Sequence, residues 1–304
     1  MSSDWCAGLK DSARINDLAI PGTHDAAAWT YDLNAMTPGT YAQRKKITEQ
    51  LDLGIRVLDL RVGWASSFSY PFRSIISMFH GPMYLEQTLQ EVLTAINTWL
   101  GTHPQEFVIL IFQQQGKAPQ SDAAADIKQM VRTTFGTKLT SYNPVGPAAW
   151  PTVGQMRGKV LVLGRLKSNV DIFYNVREWL STGDNTDGAV INVDGERNMK
   201  IYLQDRYKEL SSPYVSRDAD NKAKFAKVKA AAGVGLPTGV TAGALLRINH
   251  MSYSNLRYQP WQSGEGVNKL LRESTIKIQG VLMIDDADQA TVDHILSNNA
   301  GQLK

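Results

Sequence analysis

The sequence predicts an α/β fold, a single irregular (β/α)8 barrel of TIM type, with residues 1–304 forming one domain. Three observations carry that expectation. Short apolar, β-branched runs alternate with helical patterns from one end to the other. About eight such strands fit in the chain, the number a closed barrel of this length needs. No repeat, charge block or linker divides it. An open doubly wound sheet is the alternative, because periodicity does not separate the two.

In chain order, strands are expected at residues 15–20, 55–62, 107–112, 159–166, 201–204, 244–248 and 280–284, with a short one ending at Phe79. These runs are compact and apolar, as parallel strands covered on both faces are. Helices are expected at 41–53, 85–100, 123–135, 218–232 and 291–298. In the second of these, Leu89, Val92, Leu93, Ile96 and Leu100 recur at helical spacing, and His103-Pro104 closes it.

Composition excludes several classes. Hydrophobic residues at 43% and charged residues at 20% set aside disorder and collagen-like architecture. A net charge of +3 suits a phosphate-bearing substrate or an anionic lipid surface, and is too small for nucleic-acid binding. The one cysteine, Cys6, rules out an internal disulfide and a thiolate zinc cluster. No stretch reaches the ~20 apolar residues of a membrane span. The first residues lack the basic and apolar regions of a secretory signal.

Chemistry-bearing residues fall where barrel strands end. The first strand leads into Pro21-Gly22-Thr23-His24-Asp25, where Pro-Gly reads as a turn that delivers a histidine and a carboxylate. On the second strand Asp59 and Arg61, two residues apart, point to one side. His80 ends the third, ahead of Gly81-Pro82. Singly, the first two read more readily as a loop histidine and a structural ion pair, and the third has a turn-capping histidine as its alternative. Together they suit transfer at a phosphodiester: one histidine as base, one as acid, and a cation for the phosphoryl oxygens.

These motifs resemble those of the bacterial phosphatidylinositol-specific phospholipase C family of X-domain type. The resemblance rests on Pro-Gly-Thr-His24-Asp25, on Gly54-Ile55-Arg56 leading to Asp59-x-Arg61, and on His80-Gly-Pro-Met-Tyr-Leu. It continues through Glu106-Phe-Val-Ile, residues 157–165, Gln204-Asp205-Arg206-Tyr207 and residues 280–285, and so spans nearly the whole chain.

The resemblance implies a lipid-cleaving enzyme that yields diacylglycerol and inositol 1,2-cyclic phosphate. It implies His24 as general base oriented by Asp285, His80 as general acid supported by Asp25, and Arg61 on the phosphoryl oxygens beside Asp59. Gln113, Arg165, Asp205 and Tyr207 would bind the inositol ring, with Arg157 competing for the place of Arg165 and Asp286 for that of Asp285. One departure stands out: Gln113-Gln114-Gln115 occupies the end of a strand where the family usually carries a lysine, and Lys117 could reach in instead. Arg61 stands where calcium-dependent relatives gather acidic ligands, so no metal and no cofactor are expected.

The implied partner is an inositol phospholipid at a membrane or micelle surface, with no nucleic acid and no obligate protein partner. Trp64, Phe68, Tyr70, Phe72, residues 75–79, Tyr253, Tyr258 and Trp261 are expected either to dip into lipid or to pack over the rim. The family points to an extracellular protein, with the cytoplasm as alternative. Two other functions compete: a glycerophosphodiester phosphodiesterase, disfavoured by Arg61, and a weak or silent phosphoinositide-binding relative.

Overall fold

The structure is a computed structural model that describes residues 3–29, 41–67, 70–116, 121–140, 149–182, 185–194, 199–207, 216–253 and 258–304. Its strands are β1 (Ala19–Thr23), β2 (Val57–Ser67), β3 (Tyr70–His80), β4 (Met83–Thr88), β5 (Val108–Gln114), β6 (Val160–Arg165), β7 (Tyr174–Asn175), β8 (Asn185–Asn192), β9 (Lys200–Arg206), β10 (Leu245–His250) and β11 (Gly280–Ile284). The helices are α1 (Ile47–Leu53), α2 (Leu89–Thr102), α3 (Ala124–Phe135), α4 (Val153–Met156), α5 (Glu178–Thr182), α6 (Arg217–Ala232), α7 (Pro260–Arg272) and α8 (Gln289–Leu296).

All strands join one sheet, ordered β7-β6-β5-β2-β1-β11-β10-β9-β8, with β3 and β4 attached to β2. From β7 to β9 every neighbouring pair is parallel. The sheet curls into an irregular TIM-type barrel. In a flat sheet the six spacings between β6 and β9, at about 4.8 Å each, would hold them roughly 29 Å apart. Arg165 of β6 instead lies 3.8 Å from Asp205 of β9. The open doubly wound alternative is thereby excluded. A seam remains between β7 and β8, which is antiparallel to β9, and a backbone hydrogen bond from Asp194 to Asn175 ties it.

Several boundaries differ from expectation. The expected strand at 15–20 starts late. Residues Ile15–Asp17 form a 3-10 turn, and the strand runs through Pro21-Gly22, which were expected to make a turn. Gly22 is there because the strands approach closely: a Cβ would lie 2.6 Å from the Met283 sulfur and 2.9 Å from Val57 Cβ. Helix α1 starts at Ile47 rather than residue 41, where the Lys46 N–H donates to Glu49 at 2.7 Å. Helix α2 starts at Leu89 because Thr88 and Glu91 form a reciprocal capping box. Residues 83–88, partly assigned to that helix, are strand β4. The short strand expected to end at Phe79 is β3, which runs from Tyr70 to His80 antiparallel to β2; β4, the short β7, the polar β8 and helices α4, α5 and α7 have no counterpart among the expected elements.

At the base of the barrel a buried ion pair locks the N-terminal segment. The Arg56 guanidinium meets Glu106 Oε2 at 2.8 and 2.6 Å and donates to the carbonyls of Leu51, Ile55 and Ser3. Trp5 and Trp99 flank it, and Glu106 also accepts from the Cys6 and Ala7 amides. Removing one member of such a pair strands the other charge. Arg56→Met is therefore expected to cost about 3–5 kcal/mol in urea unfolding. The double variant Arg56→Met/Glu106→Leu, which leaves no buried charge, is expected to lose less.

Candidate active site

The carboxyl ends of the strands collect the charged residues. His24 leaves β1 with its amide on the Ile284 carbonyl, so the ends of β1 and β11 stay in register. His24 Nδ1 lies 2.9 Å from Asp285 Oδ1. Asp25 adopts the left-handed conformation (φ 44°), which turns its carboxylate back over the mouth. Asp59 pins that turn by accepting from the Asp25 amide at 3.3 Å, and its own carbonyl takes the Ala26 amide.

Asp59 and Arg61 share a side of β2, as their spacing predicts, with Arg61 Nε 3.2 Å from Asp59 Oδ2. The same Nε lies 2.6 Å from Asp25 Oδ1, and a terminal Arg61 nitrogen lies 2.6 Å from His24 Nε2. His80 arrives by a different route from the one expected. Strand β3 returns antiparallel along β2, not as a third parallel barrel strand, and drops His80 at the mouth. Its Nε2 is 3.2 Å from Asp25 Oδ2, the oxygen that also lies 3.4 Å from His24 Nε2. All these side chains are buried.

Two features of His24 pull in opposite directions. Burial disfavours its charged form, but Asp25 and Asp285 outweigh burial and raise its pKa to about 9, with Arg61 opposing them. The Arg61 N–H, by contrast, needs a lone pair on Nε2, which only the neutral ring offers. Upward is the direction two carboxylates against one guanidinium require. Asp59 is held below the usual carboxylate range: burial raises it, but Arg61 and His24 prevail.

The competitors separate cleanly. Asp286 turns away, gripped by Arg44 at 2.6 Å through both oxygens, which leaves Asp285 to His24. Arg157 lies at the base with Asp11 and the carbonyls of Cys6, Leu9 and Gln105. Arg165 lies in the mouth, 3.0 Å from Gln113 Oε1 and stacked over Trp179 at 5.0 Å. Asp205 accepts from the Trp179 indole at 3.0 Å, and the Tyr207 ring centroid is 5.6 Å from that of His24. The glutamine run divides: Gln113 enters the mouth, Gln114 bonds Ser121 and Ala123, and Gln115 holds the Gly81 amide beside His80. Lys117 lies outside the described residues.

Sequence reading missed three residues here. His250, at the end of β10, lay within reach of the strand-end rule. Trp179 comes from the short helix α5, which had no periodic signal. Gln43 braces the ends of β1 and β11 from within an extended segment, donating to the carbonyls of His24 and Ile284 at 2.9 and 3.0 Å.

The expected aromatic tips divide as well. Tyr253 is buried and donates to Asn221, and Ile76, Met78 and Phe79 pack over the rim, so none of these reaches outward. Trp64 is partly exposed, with its indole on the Ser121 carbonyl. Tyr258 and Trp261 stay partly exposed beneath Arg217 and Arg44. Phe68 and the side chains of Tyr70 and Phe72 lie outside the described residues.

His24, Asp25 and Asp59 offer donor atoms within 4.8 Å of one another, a set that could hold a cation. Arg61 contacts all three, so a divalent ion there would face a fixed positive charge.

Two imidazoles, each beside a carboxylate, around a buried guanidinium make a barrel mouth equipped for acid–base work on an anionic ester. Comparison with known proteins narrows that class. Residues 19–166 match the model of the phosphatidylinositol-specific phospholipase C X domain. It is 22% identical over 308 residues to the 1-phosphatidylinositol phosphodiesterase of Listeria monocytogenes, covering 98% of this chain and 85% of that protein. Similarity to the Staphylococcus aureus (strain Newman) protein of that description is 26% over 221 residues, 68% of this chain and 64% of the other. The structure of a pentafluoro-Phe form of phosphatidylinositol-specific phospholipase C from S. aureus matches with a TM-score of 0.76 at 18% identity, covering 97% of each chain. That likeness bears out the barrel.

Proposed function

We propose that the protein cleaves phosphatidylinositol to diacylglycerol and inositol 1,2-cyclic phosphate, without a metal, by the paired action of His24 and His80. The inositol 2-hydroxyl attacks phosphorus as His24 Nε2 takes its proton. The bond to the glycerol oxygen breaks, and that oxygen takes a proton from His80. Arg61 binds the phosphoryl oxygens, whose pull on its N–H releases the Nε2 lone pair. Asp285 fixes the tautomer by holding Nδ1.

The observation that carries the reading is Asp25 Oδ2, within 3.4 and 3.2 Å of the two Nε2 atoms, with Arg61 against the same carboxylate. Arg61 supports the metal-free form and disfavours the glycerophosphodiester alternative. Strands from residue 19 to residue 284 share one sheet, which supports a single catalytic domain.

The chain would meet its lipid as a peripheral protein outside the cell, the location its family resemblance suggests. Among the described residues no helix is long and apolar enough to cross a membrane. The pairs Arg44–Trp261, Lys46–Trp29 and Arg217–Tyr258 line the loops of the mouth and suit an anionic interface.

Phosphorus NMR of phosphatidylinositol micelles treated with the protein in EDTA tests the reading. The expected result is a cyclic inositol phosphate resonance. Product only after calcium is restored would overturn the metal-free mechanism. Silence in both conditions would favour the binding relative.

A further inference from the structure

His250 has no part in the acid–base chemistry above. It ends β10, and side chains alternate along a strand. Its neighbour Asn249 faces outward, donating to the Val228 carbonyl of α6 and accepting from Gln204. His250 therefore faces the barrel interior. There its ring stands edge-on to His24, with centroids 6.0 Å apart, and edge-on to Trp179 at 5.9 Å. Its Nδ1 lies 3.7 Å from Asp205 Oδ1, beyond hydrogen-bond reach.

The residue is 3% exposed, and neither ring nitrogen has a hydrogen-bond partner among the described residues. A buried polar group left so is penalised for its lost hydration, and the barrel interior could have taken an apolar ring at no such cost. Burial drives its pKa down to about 4, against the pull of Asp205, so the ring is a neutral donor and acceptor at working pH. A neutral ring with one N–H and one lone pair suits a hydroxyl, which also gives and takes one hydrogen bond.

We infer that His250 is a substrate-binding residue that hydrogen-bonds a ring hydroxyl of the inositol headgroup. The hydroxyl sits between the base His24 and the Asp205–Arg165 side of the mouth. The inference rests on the proposed function and assigns its headgroup site a residue outside the motifs that carry the family resemblance. His250 would orient the ring so that its neighbouring hydroxyl meets His24.

Two soluble esters test this: the nitrophenyl ester of inositol phosphate, and the nitrophenyl ester of hydroxypropyl phosphate, which keeps an attacking hydroxyl but has no ring. His250→Phe preserves the edge contacts and removes both nitrogens. It is expected to lower kcat/KM for the inositol ester roughly 10- to 100-fold. That loss should exceed the loss on the ringless ester at least tenfold. His250→Asn, which retains a donor and an acceptor, should recover part of it. Equal losses on both esters, or none on the inositol ester, would overturn the inference while leaving the proposed function intact. Should the wild type cleave neither ester, the proposed function fails. Calorimetry with inositol phosphate then decides: binding weakened by His250→Phe sustains the subsite, and equal or absent binding refutes it.

Discussion

His24→Ala is expected to lower kcat/KM for phosphatidylinositol by about 10²–10⁴-fold, and His80→Ala by a comparable factor, because in the proposed mechanism each removes one proton transfer. The two losses should not add. With the base gone the acid has no developing charge to answer, so the double variant should resemble either single one.

The pH profile carries the sharper test. In the proposed mechanism attack requires neutral His24, and Asp25 and Asp285 raise its pKa above the ordinary imidazole value. In wild type kcat/KM should therefore climb with pH on an acid limb lying above about 6.5. Asp285→Asn removes one of the carboxylates that stabilise the imidazolium, so the limb should move to lower pH while the maximum falls. A limb that stays put would show that Asp285 does not govern His24.

Arg61→Lys is expected to reduce kcat by roughly 10²–10³-fold, the scale of removing a preorganised donor from a developing oxyanion. The lysine keeps the charge, but one ammonium cannot reproduce the planar fork that reaches Asp25, Asp59 and His24 together. Arg61→Met should lose more and shift the acid limb upward, since Arg61 holds the pKa of His24 down. The two substitutions thus separate shape from charge. A lysine variant with full activity would mean that the fork geometry is immaterial.

Much of this site was legible because parallel barrels collect function at strand ends. His24, Asp59, Arg61 and Asp285 sit at or near the ends of apolar runs that any periodicity count finds. Asp205 follows from the same rule. The family resemblance preferred Asp285 over Asp286, and the structure supplies the reason: Arg44, from a segment expected to be helical, takes the second carboxylate.

What stayed hidden depended on tertiary contacts. The apolar run ahead of β1 reads as strand, yet Ile15 is buried in a 3-10 turn, Leu18 is buried just past it, and the strand boundary slides beyond both. Pro21-Gly22 has turn composition, and only the crowding of Met283 and Val57 reveals a strand. Gln43 carried no signal, because an amide between two carbonyls looks like any other glutamine in the chain. Of the β2–β3–β4 meander only β2 and the end of β3 were legible, because polar residues interrupt the pattern of the rest, although its last turn places His80.

The seam gives the barrel the mechanics of a split ring. A closed hoop resists widening equally all round, whereas a cut one opens at the cut and stays stiff on the far side. Strands β11, β1 and β2, which carry Asp285, His24 and Arg61, lie in the middle of the ordered sheet. Arg165 and Asp205 stand near its two free ends, on opposite lips of the cut. Any spreading there would change the Arg165–Asp205 side of the mouth and leave the spacing of Asp285, His24 and Arg61 as it is. Tolerance and precision are thereby assigned to different arcs of one hoop.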